Sequence, residues 1–292
     1  MKVGIVLHVD AGGGSWDWQH VRESALTAEA EGLDSVWAPD HFFYRPEEGD
    51  TVGMEEAWTV LSAVAGITER VEIAPIVICS AFRSPGLMAN MAATLDAVSG
   101  GRLVLGVGAG WHDPEFEAYG YPTDHKVGRF EEWIQIVLPL LRGETVDFEG
   151  RWYQARAAAV FPRPERSIPV LIAGNKPRML SLVARYADSW NTAWFARPDD
   201  RLHERLQALD AALADAGRDP ATLERTIGLL VRDPDQPSEE QGEEWFAGSV
   251  EELAGLLREY EQLGFAHAIV ITEPRTPRSI ERLAEAARLS RG

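Results

Sequence analysis

Residues 168–187 read IPVLIAGNKPRMLSLVARYA and contain one complete strand-then-helix unit. Residues 168–173 form a short apolar run, which is typical of a strand buried on both faces. Gly174 ends that run, and apolar side chains then recur at helical spacing over residues 177–187. Pro177 suits the first position of a helix, where its missing N–H costs no hydrogen bond. The stretch therefore predicts one β/α unit of a parallel sheet.

The same unit recurs eight times along the chain. The predicted strands cover residues 2–9, 34–38, 71–76, 102–107, 168–173, 189–193, 225–231 and 267–272. The helical patterns cover residues 17–31, 54–68, 85–98, 127–141, 177–187, 199–216, 250–263 and 277–289. Eight such units predict an α/β fold, a (β/α)8 TIM barrel formed by one domain over residues 1–292. A doubly wound sheet is the alternative, but it usually has fewer units and a glycine fingerprint after its first strand, which is missing here.

Two segments exceed ordinary loop lengths and are predicted as insertions in the barrel. The first, residues 42–52, follows strand two. The second, residues 143–167, follows helix four and contains a hairpin pattern at 146–153. The acidic stretch 233–244 is predicted to be a mobile surface loop. We expect substrate recognition to fall on the two insertions, whose sequences do not identify the substrate.

Composition limits the classes of partner. The 292 residues carry a formal net charge of -18, which disfavours a nucleic-acid-binding surface. No window approaches 18 apolar residues, so no transmembrane helix is expected. The single cysteine, Cys79, cannot form an internal disulfide and fits a reducing cytoplasm. Residues 1–7 are interpreted as part of the first strand and not as a signal peptide.

Catalytic residues of such barrels lie at the carboxyl ends of the strands. Asp40 and His41 follow strand two and are the best acid/base candidates, because an imidazole can move a proton near neutral pH. An adjacent carboxylate could orient that imidazole. The alternative is a hydrogen-bonded structural pair at the start of a loop, and position alone leaves both interpretations open.

Strand four ends in Gly106, Gly108 and Gly110, each separated by one residue. The pattern lacks the third glycine of the dinucleotide fingerprint, since Trp111 stands in its place. We interpret these residues as small because the barrel end bends tightly there. Small residues at a strand end also let a flat ligand approach the backbone closely.

Strand five ends in Gly174, Asn175 and Lys176, followed by Arg178 in the next helix. Free backbone N–H groups at a helix start bind anions, and the two cations add positive charge. The cluster therefore favours a phosphate site. An ordinary strand–helix junction with two solvated cations is the alternative.

Other chemistries have weaker support in the sequence. The seven histidines lack the usual spacings of metal ligands, so no metal site is predicted. A convincing carboxylate pair for glycoside hydrolysis is missing, as is the Gly-x-Ser-x-Gly pattern of hydrolases. Cys79 is either a nucleophile or, more commonly for a lone cysteine beside a buried strand, a small core residue. Trp111 and Trp194 fall at the barrel mouth, where an aromatic wall could stack on a planar ring.

Four fragments taken in order carry a family resemblance. They are EGLDSVW at 31–37, leading to Asp40 and His41; TLDAVSGGRLVLGVGAGW at 94–111; PVLIAG at 169–174; and ADSWN at 187–191. Together they resemble the bacterial luciferase-like flavin and deazaflavin oxidoreductases. The chain is most similar to the actinobacterial branch that depends on coenzyme F420, a deazaflavin with an anionic tail.

The resemblance implies where the cofactor would bind. The ring would lie against a bulge after strand three, often built on a non-prolyl cis peptide, which here falls near Ile76 and Val77 with Cys79 close by. Ala109, Gly110 and Trp111 would line the ring. The cofactor phosphate would sit on Gly174, Asn175, Lys176 and Arg178.

The resemblance also implies catalytic roles. In the sugar-phosphate dehydrogenase branch the matching Asp contacts the deazaflavin and the matching His is the proposed base, which are Asp40 and His41 here. That branch carries a glutamate as proton donor where this chain has Trp111. The departure argues against oxidation of a sugar phosphate and leaves the general acid unassigned.

The resulting hypothesis is an oxidoreductase that transfers a hydride between F420 and a small organic substrate. An FMN-dependent monooxygenase is the first alternative, and a cofactor-binding protein without turnover is the second. An interaction scaffold that binds no cofactor is the third. By analogy with the family, we expect a homodimer formed through the helices that flank strands two to four.

Overall fold

A computed structural model describes residues 1–10, 16–46, 50–236 and 244–292. Its main sheet contains the eight predicted strands in parallel arrangement. They are β1 (Lys2–Val6), β2 (Ser35–Ala38), β3 (Glu72–Pro75), β4 (Leu105–Gly108), β5 (Val170–Ala173), β6 (Ser189–Phe195), β7 (Glu224–Arg232) and β8 (His267–Glu273).

The sheet closes on itself. Each strand from β4 to β8 pairs with the next, β8 pairs with β1, and β1 to β3 continue the order. The amide of Ile73 in β3 donates to the carbonyl of Arg102 at 3.0 Å, and the amide of Val104 donates to the carbonyl of Ile73 at 3.0 Å. A short strand, Ile78–Cys79, continues from β3 and pairs with the end of β4. The predicted (β/α)8 barrel is therefore confirmed.

The helices pack around the sheet. They are α1 (Trp18–Ala30), α2 (Ala57–Ala65), α3 (Pro85–Val98), α4 (Asp113–Tyr119), α5 (Lys126–Leu141), α6 (Pro177–Tyr186), α7 (Asp200–Asp215), α8 (Val250–Gln262) and α9 (Pro277–Ser290). Eight of them match the predicted helices. The seven-residue helix α4 was not predicted, because it is short and lies between glycine-rich β4 and the left-handed Gly120. In the described part of the chain, no helix has the length and apolar character needed to cross a membrane.

Apolar side chains cover both faces of the sheet. Trp37, Ala74, Leu171 and Ile269 pack together inside the barrel. A larger core lies between the sheet and the helices. Burial on two faces explains why the strands read as continuous apolar runs and not as alternating patterns.

The glycines of β4 allow a close approach to the end of β3. A Cβ on Gly106 would clash with the carbonyl oxygen of Pro75, and one on Gly108 would lie 2.9 Å from the side chain of Val77. Gly110 has a φ of +81°, and its Cβ would lie 2.6 Å from Cys79 Sγ. Gly106 and Gly108 are thus small because a neighbouring segment lies against β4, and only Gly110, after the strand, has the left-handed conformation of a turn.

The second insertion contains the predicted hairpin, formed by strands Val146–Glu149 and Gln154–Ala158. Glu132 on α5 accepts backbone hydrogen bonds from residues 151, 152 and 153, at 2.8, 2.8 and 3.1 Å. In the first insertion, Phe43–Tyr44 pairs with Val52–Gly53. Residues 47–49 of this insertion and residues 237–243 of the predicted loop 233–244 lie outside the described residues.

A chain of buried polar groups crosses the barrel interior. The indole N–H of Trp37 donates to Ser35 Oγ at 2.7 Å, and Ser35 Oγ lies 2.8 Å from His267 Nε2. Burial lowers the pKa of His267 to about 3, so the folded protein holds a neutral imidazole at neutral pH.

This burial predicts acid sensitivity. The unfolded chain binds a proton near pH 6.5 that folded His267 does not bind until about pH 3, so the free energy of unfolding falls as the pH drops through this window. The slope from this one group is at most ~1.4 kcal/mol per pH unit. Urea unfolding between pH 7.5 and 5 measures how the free energy of unfolding changes with pH in the native chain and in His267→Gln.

The His267→Gln variant should show a shallower loss of stability with falling pH, whatever its stability at pH 7.5. The matched control is His203→Gln, because His203 is exposed on α7. Parallel pH curves for the native chain and His267→Gln would contradict the assignment.

Candidate active site

A cavity opens at the carboxyl ends of the barrel strands. Its wall is built by the segments that follow β2, β3 and β4, by α4, and by the ends of β5 and β6. The lining residues are Asp40, His41, Ile76, Val77, Ile78, Cys79, Phe82, Gly110, Trp111, His112, Glu115, Phe116, Ala173, Asn191, Ala193 and Trp194.

The structure brings most of the predicted ring-binding residues into this wall. Asp40, His41, Ile76, Val77, Cys79, Gly110 and Trp111 all line it. Ala109 is not among the lining residues but directly precedes Gly110. The peptide bond between Ile76 and Val77 is cis, as the family resemblance implies, and so is the bond between Ala193 and Trp194.

Asp40 is committed to a buried ion pair. Its two carboxylate oxygens accept hydrogen bonds from Arg83 Nη1 and Nη2 at 2.8 and 2.9 Å. The amide of Cys79 also donates to Asp40 Oδ2, at 2.9 Å. Arg83 additionally pairs with Glu56. Burial lowers the pKa of the Arg83 guanidinium, but the carboxylates of Asp40 and Glu56 raise it further, so its net pKa lies above the ordinary value. Asp40 thus ties the segment after β2 to the segment after β3.

Glu115 is the carboxylate that orients His41. Its Oε2 lies 2.7 Å from His41 Nδ1, and its Oε1 accepts the amide hydrogens of Phe42 and Phe43 at 2.5 and 3.3 Å. The expectation that Asp40 orients His41 is therefore corrected. The reason is that Arg83 and the Cys79 amide occupy both oxygens of Asp40, while α4 brings Glu115 to the ring from the other side.

The Glu115 contact sets the hydrogen-bonding roles of the imidazole. Burial raises the pKa of Glu115, but hydrogen bonds from His41 and from the Phe42 amide lower it further, and the net pKa lies below the ordinary value. The carboxylate is an acceptor only, so His41 Nδ1 carries the hydrogen of this bond. Nε2 is then the atom that can exchange a proton with a ligand, and no described residue bonds it.

Aromatic side chains form the rim of the cavity. Trp111 is 66% exposed, and its ring centroid lies 5.5 Å from that of His41. Tyr44 lies 6.2 Å from Trp111, and Trp194 lines the wall from β6. The predicted position of both tryptophans at the barrel mouth is confirmed.

Two further groups near His41 have structural partners. His112 Nε2 accepts the amide hydrogen of Arg45 at 3.0 Å, and burial lowers the pKa of His112. Burial also raises the pKa of the Cys79 thiol to about 12. Cys79 is thus a protonated thiol at neutral pH, which supports the core interpretation over a nucleophile.

The predicted phosphate residues lie beside the cavity, beyond Ala173. Lys176 is the N-cap of α6 but makes no side-chain capping bond, and it is exposed. Asn175 Oδ1 is buried without a hydrogen-bond partner. A Cβ on Gly174 would lie 2.8 Å from Met179 Cβ, which explains the glycine. Arg178 differs from the expected free cation, because its Nη2 donates to Glu131 Oε2 at 3.1 Å.

Sequence reasoning missed Glu115, Arg83 and Asn191. Glu115 lies on α4, a helix that the sequence pattern did not predict, so no local signal pointed to its role. Asn191 is buried in the wall, where its amide donates to Thr226 Oγ1 at 2.9 Å.

Comparison with known proteins gives a family and close relatives. The family model described as luciferase-like monooxygenase matches residues 1–239. The F420-dependent glucose-6-phosphate dehydrogenase of Amycolatopsis mediterranei (strain U-32) is 37% identical over 169 residues, which are 56% of this chain and 49% of that protein. The protein of the same name from Rhodococcus hoagii (strain 103S) is 30% identical over 241 residues, 79% of this chain and 69% of that protein. The chain thus spans about half the length of the Amycolatopsis relative.

A solved structure supports the fold. An F420-dependent secondary alcohol dehydrogenase, in complex with an F420–acetone adduct, superposes with a TM-score of 0.83. It is 20% identical, and the match covers 100% of this chain and 99% of that chain. At this level of identity the likeness concerns the barrel fold alone.

The Glu115 contacts predict that removal of this carboxylate destabilises the fold, whereas removal of an exposed carboxylate on the same helix has little effect. Glu115→Ala should lower the free energy of unfolding by about 1.5–3 kcal/mol, because it leaves the Phe42 amide without its charged acceptor. Glu115→Gln should lower the free energy of unfolding by less, since the amide oxygen of glutamine can still accept the hydrogen of the Phe42 amide. Urea unfolding at pH 7 measures both.

The matched control is Glu117→Ala on the same helix, because Glu117 is exposed. Equal losses in Glu115→Ala and Glu117→Ala would show that the charge of α4, and not the tether to the segment after β2, is responsible.

Proposed function

The chain belongs to the luciferase-like monooxygenase family, and on that premise we propose that it is an oxidoreductase that uses coenzyme F420 for hydride transfer with a small organic substrate. The names of its relatives from Amycolatopsis and Rhodococcus support the choice of F420. The observation that carries the proposal is the His41–Glu115 pair, which leaves one proton-exchanging atom, His41 Nε2, at an otherwise largely apolar cavity wall.

The residues beside the cavity fit an anionic cofactor tail. Asn175 has a buried amide oxygen without a partner, and rotation of that amide would present its NH2 group to an anion instead. The start of α6 lacks a side-chain cap, so its first amides can donate to an anion. Lys176 adds a positive charge at this point. Gly174, Asn175 and Lys176 would hold the phosphate, with Arg178 contributing only if it leaves Glu131.

The cavity wall fits a planar ring. Ile76, Val77, Cys79 and Gly110 line one part of the wall, with Trp111 at the rim, and Ala109 directly precedes Gly110. Asp40 would act from the edge of this surface, through the backbone segments it ties together. When bound there, the deazaflavin supplies hydride chemistry, taking a hydride from a substrate carbon or returning it.

The protein's own residues handle the proton. For oxidation of an alcohol, His41 Nε2 accepts the hydroxyl proton, and for the reverse reaction it returns that proton to the carbonyl oxygen. Glu115 keeps Nδ1 protonated and stabilises the imidazolium that forms. The Asp40–Arg83 pair keeps the segment after β3 in place while the charge on His41 changes.

FMN-dependent monooxygenation is the second candidate, and the description of the matching family favours it. A ring-binding wall of this kind has no feature that restricts it to a deazaflavin. A cofactor-binding protein without turnover would bind the cofactor but convert no compound in a substrate screen with reduced and oxidised cofactor. An interaction scaffold would bind no cofactor.

We also propose that the chain forms a homodimer and works in the cytoplasm. Support for the dimer comes from an apolar groove between α2 and α3 that includes Trp58, Met91 and Leu95. Leu87 and Val98 on α3 are 54% and 59% exposed. Support for the location comes from the single cysteine, which is buried and free.

The cofactor assignment predicts a preference that equilibrium binding can measure. The purified protein should bind oxidised F420 more tightly than FMN, as followed by quenching of cofactor fluorescence. Lys176→Ala should weaken F420 binding more than Arg178→Ala, because Arg178 is already paired with Glu131. A preference for FMN would instead support the monooxygenase, and binding of neither cofactor would support the scaffold.

The proton-transfer role predicts the effect of removing His41. His41→Ala should lower kcat with F420 by about 10²–10⁴-fold, the usual contribution of a positioned acid or base. Binding of F420 should change much less, since Nε2 serves the substrate. His203→Ala is the control, because His203 is exposed on α7. Full turnover by His41→Ala would remove the role.

A further inference from the structure

The charge and polarity of the cavity wall restrict what it can bind. Within the described ranges, none of the side chains that line this cavity is a lysine or an arginine. Beside Ile76 and Val77, which face the proposed cofactor ring, the wall contains the apolar side chains of Phe82, Phe116 and Trp194, with Trp111 at the rim. A wall of this composition favours an apolar ligand.

The polar groups of the wall are largely used by the protein itself. Asp40 is bound by Arg83, and the Asn191 amide donates to Thr226 Oγ1. His112 Nε2 accepts the amide hydrogen of Arg45, and Glu115 accepts from His41 and the Phe42 amide. His41 Nε2 is the one proton-exchanging atom that these bonds leave for a ligand. Since most polar groups of the wall are bonded within the protein, the wall suits a substrate with few polar groups and not a polyhydroxylated one.

The electrostatics of the cavity oppose a phosphate group. The two negative charges of Asp40 and Glu56 exceed the single positive charge of Arg83, and Glu115 adds a third carboxylate. Lys126 lies over the ring of Phe116 at 3.9 Å, but its ammonium is paired with Asp113 in the first turn of α4 and is therefore not free for a phosphate. A dianion would meet carboxylates without a free counter-charge, and burying an unpaired charge is costly.

Cations do lie on the far side of Trp194, in a separate groove. Arg201 donates to the carbonyl of Trp194 at 2.8 Å and stacks over Phe195 at 4.1 Å. Arg197 lies over the ring of Phe246 at 4.7 Å. Asp199 and Glu244 line the same groove, so its positive charge is opposed. Bound phosphate in this groove is the competing arrangement.

We propose that the substrate is an uncharged, largely apolar alcohol or its carbonyl counterpart, alicyclic or aromatic, and not a phosphorylated sugar. The proposal rests on the proposed function and adds the substrate class of that same cavity. Such a molecule would place its one oxygen at His41 Nε2 and its hydrocarbon part against Phe82, Trp194 and Trp111. We therefore do not expect glucose 6-phosphate, for which the relatives are named, to be the substrate of this chain.

The test uses two substrates that share the reacting carbinol and differ in charge. They are methyl 4-hydroxycyclohexanecarboxylate and the free 4-hydroxycyclohexanecarboxylate, with glucose 6-phosphate as a third compound. For the F420-loaded protein, kcat/KM is measured from the change in cofactor absorbance. Dissociation constants are measured from the quenching of tryptophan fluorescence. The neutral ester should exceed the acid at least about tenfold in both kcat/KM and affinity, because the acid must be desolvated beside carboxylates.

A pair of variants tests whether charge is the cause. Trp111→Arg adds a cation at an exposed position of the rim, and Trp111→Gln removes the same ring without adding charge. Trp111→Arg should reduce the preference for the ester over the acid by at least about threefold relative to Trp111→Gln, since opposite charges at a site rim attract. Equal preferences in the two variants would overturn the electrostatic argument.

The outcomes separate the two levels of the proposal. Failure to bind F420 would overturn the proposed function. Binding of F420 together with higher kcat/KM for glucose 6-phosphate than for the ester would overturn the substrate class alone. If Arg197→Gln then abolished that activity, the phosphate would be placed in the groove beyond Trp194. Binding of F420 with neither turnover nor binding of the ester would also overturn the substrate class.

Discussion

Closure of the barrel between β3 and β4 is the constraint on which the site depends. Gly106 and Gly108 have no space for a Cβ, because Pro75 and Val77 of the neighbouring segment lie against them. The strand Ile78–Cys79 then pairs with β4 and completes the seam. The segment that closes the barrel is thus also the wall of the cavity. A side chain on either glycine would disturb the fold and the site together.

Two buried carboxylates stabilise different parts of that wall. Asp40 bonds Arg83 and the Cys79 amide, and so joins the ends of β2 and β3. Glu115 bonds His41 and the Phe42 amide, and so joins the end of β2 to α4. Each carboxylate has a charged or hydrogen-bonding partner on both oxygens, which is the condition for burying it at acceptable cost. The segment after β2 is consequently held from two sides, and His41 stands between them.

The sequence predicts those features that are local. Strands buried on two faces read as apolar runs, and the glycines of β4 signal a tight approach without naming its partner. The residues of the cavity wall could be predicted to lie together, because the carboxyl ends of parallel strands meet at one edge of a barrel. The position of the cis peptide at Ile76 came from the family resemblance, since no local pattern distinguishes it.

Pairings between distant segments could not be read from the sequence. His41 and Glu115 are 74 positions apart, and Asp40 and Arg83 are 43 apart, so only barrel closure brings them together. Asp40 stood next to His41 in sequence and was the natural candidate to orient it, although its oxygens face Arg83. Arg178 seemed a free cation for the same reason, because its partner Glu131 lies 47 positions upstream.

The arrangement of charge is consistent with the proposed pairing of an anionic cofactor and a neutral substrate. Lys176 and the uncapped start of α6 lie beyond Ala173, outside the cavity wall, where a phosphate can remain partly solvated. Asp40 and Glu115 line the cavity itself, and Glu115 contacts His41. In that apolar surrounding the Glu115–His41 interaction is stronger than it would be in water, because the local dielectric constant is lower. The same surrounding makes a charged substrate costly and a neutral one favourable. The proposed proton transfer at His41 Nε2 and the proposed selection against charged substrates therefore have one physical origin.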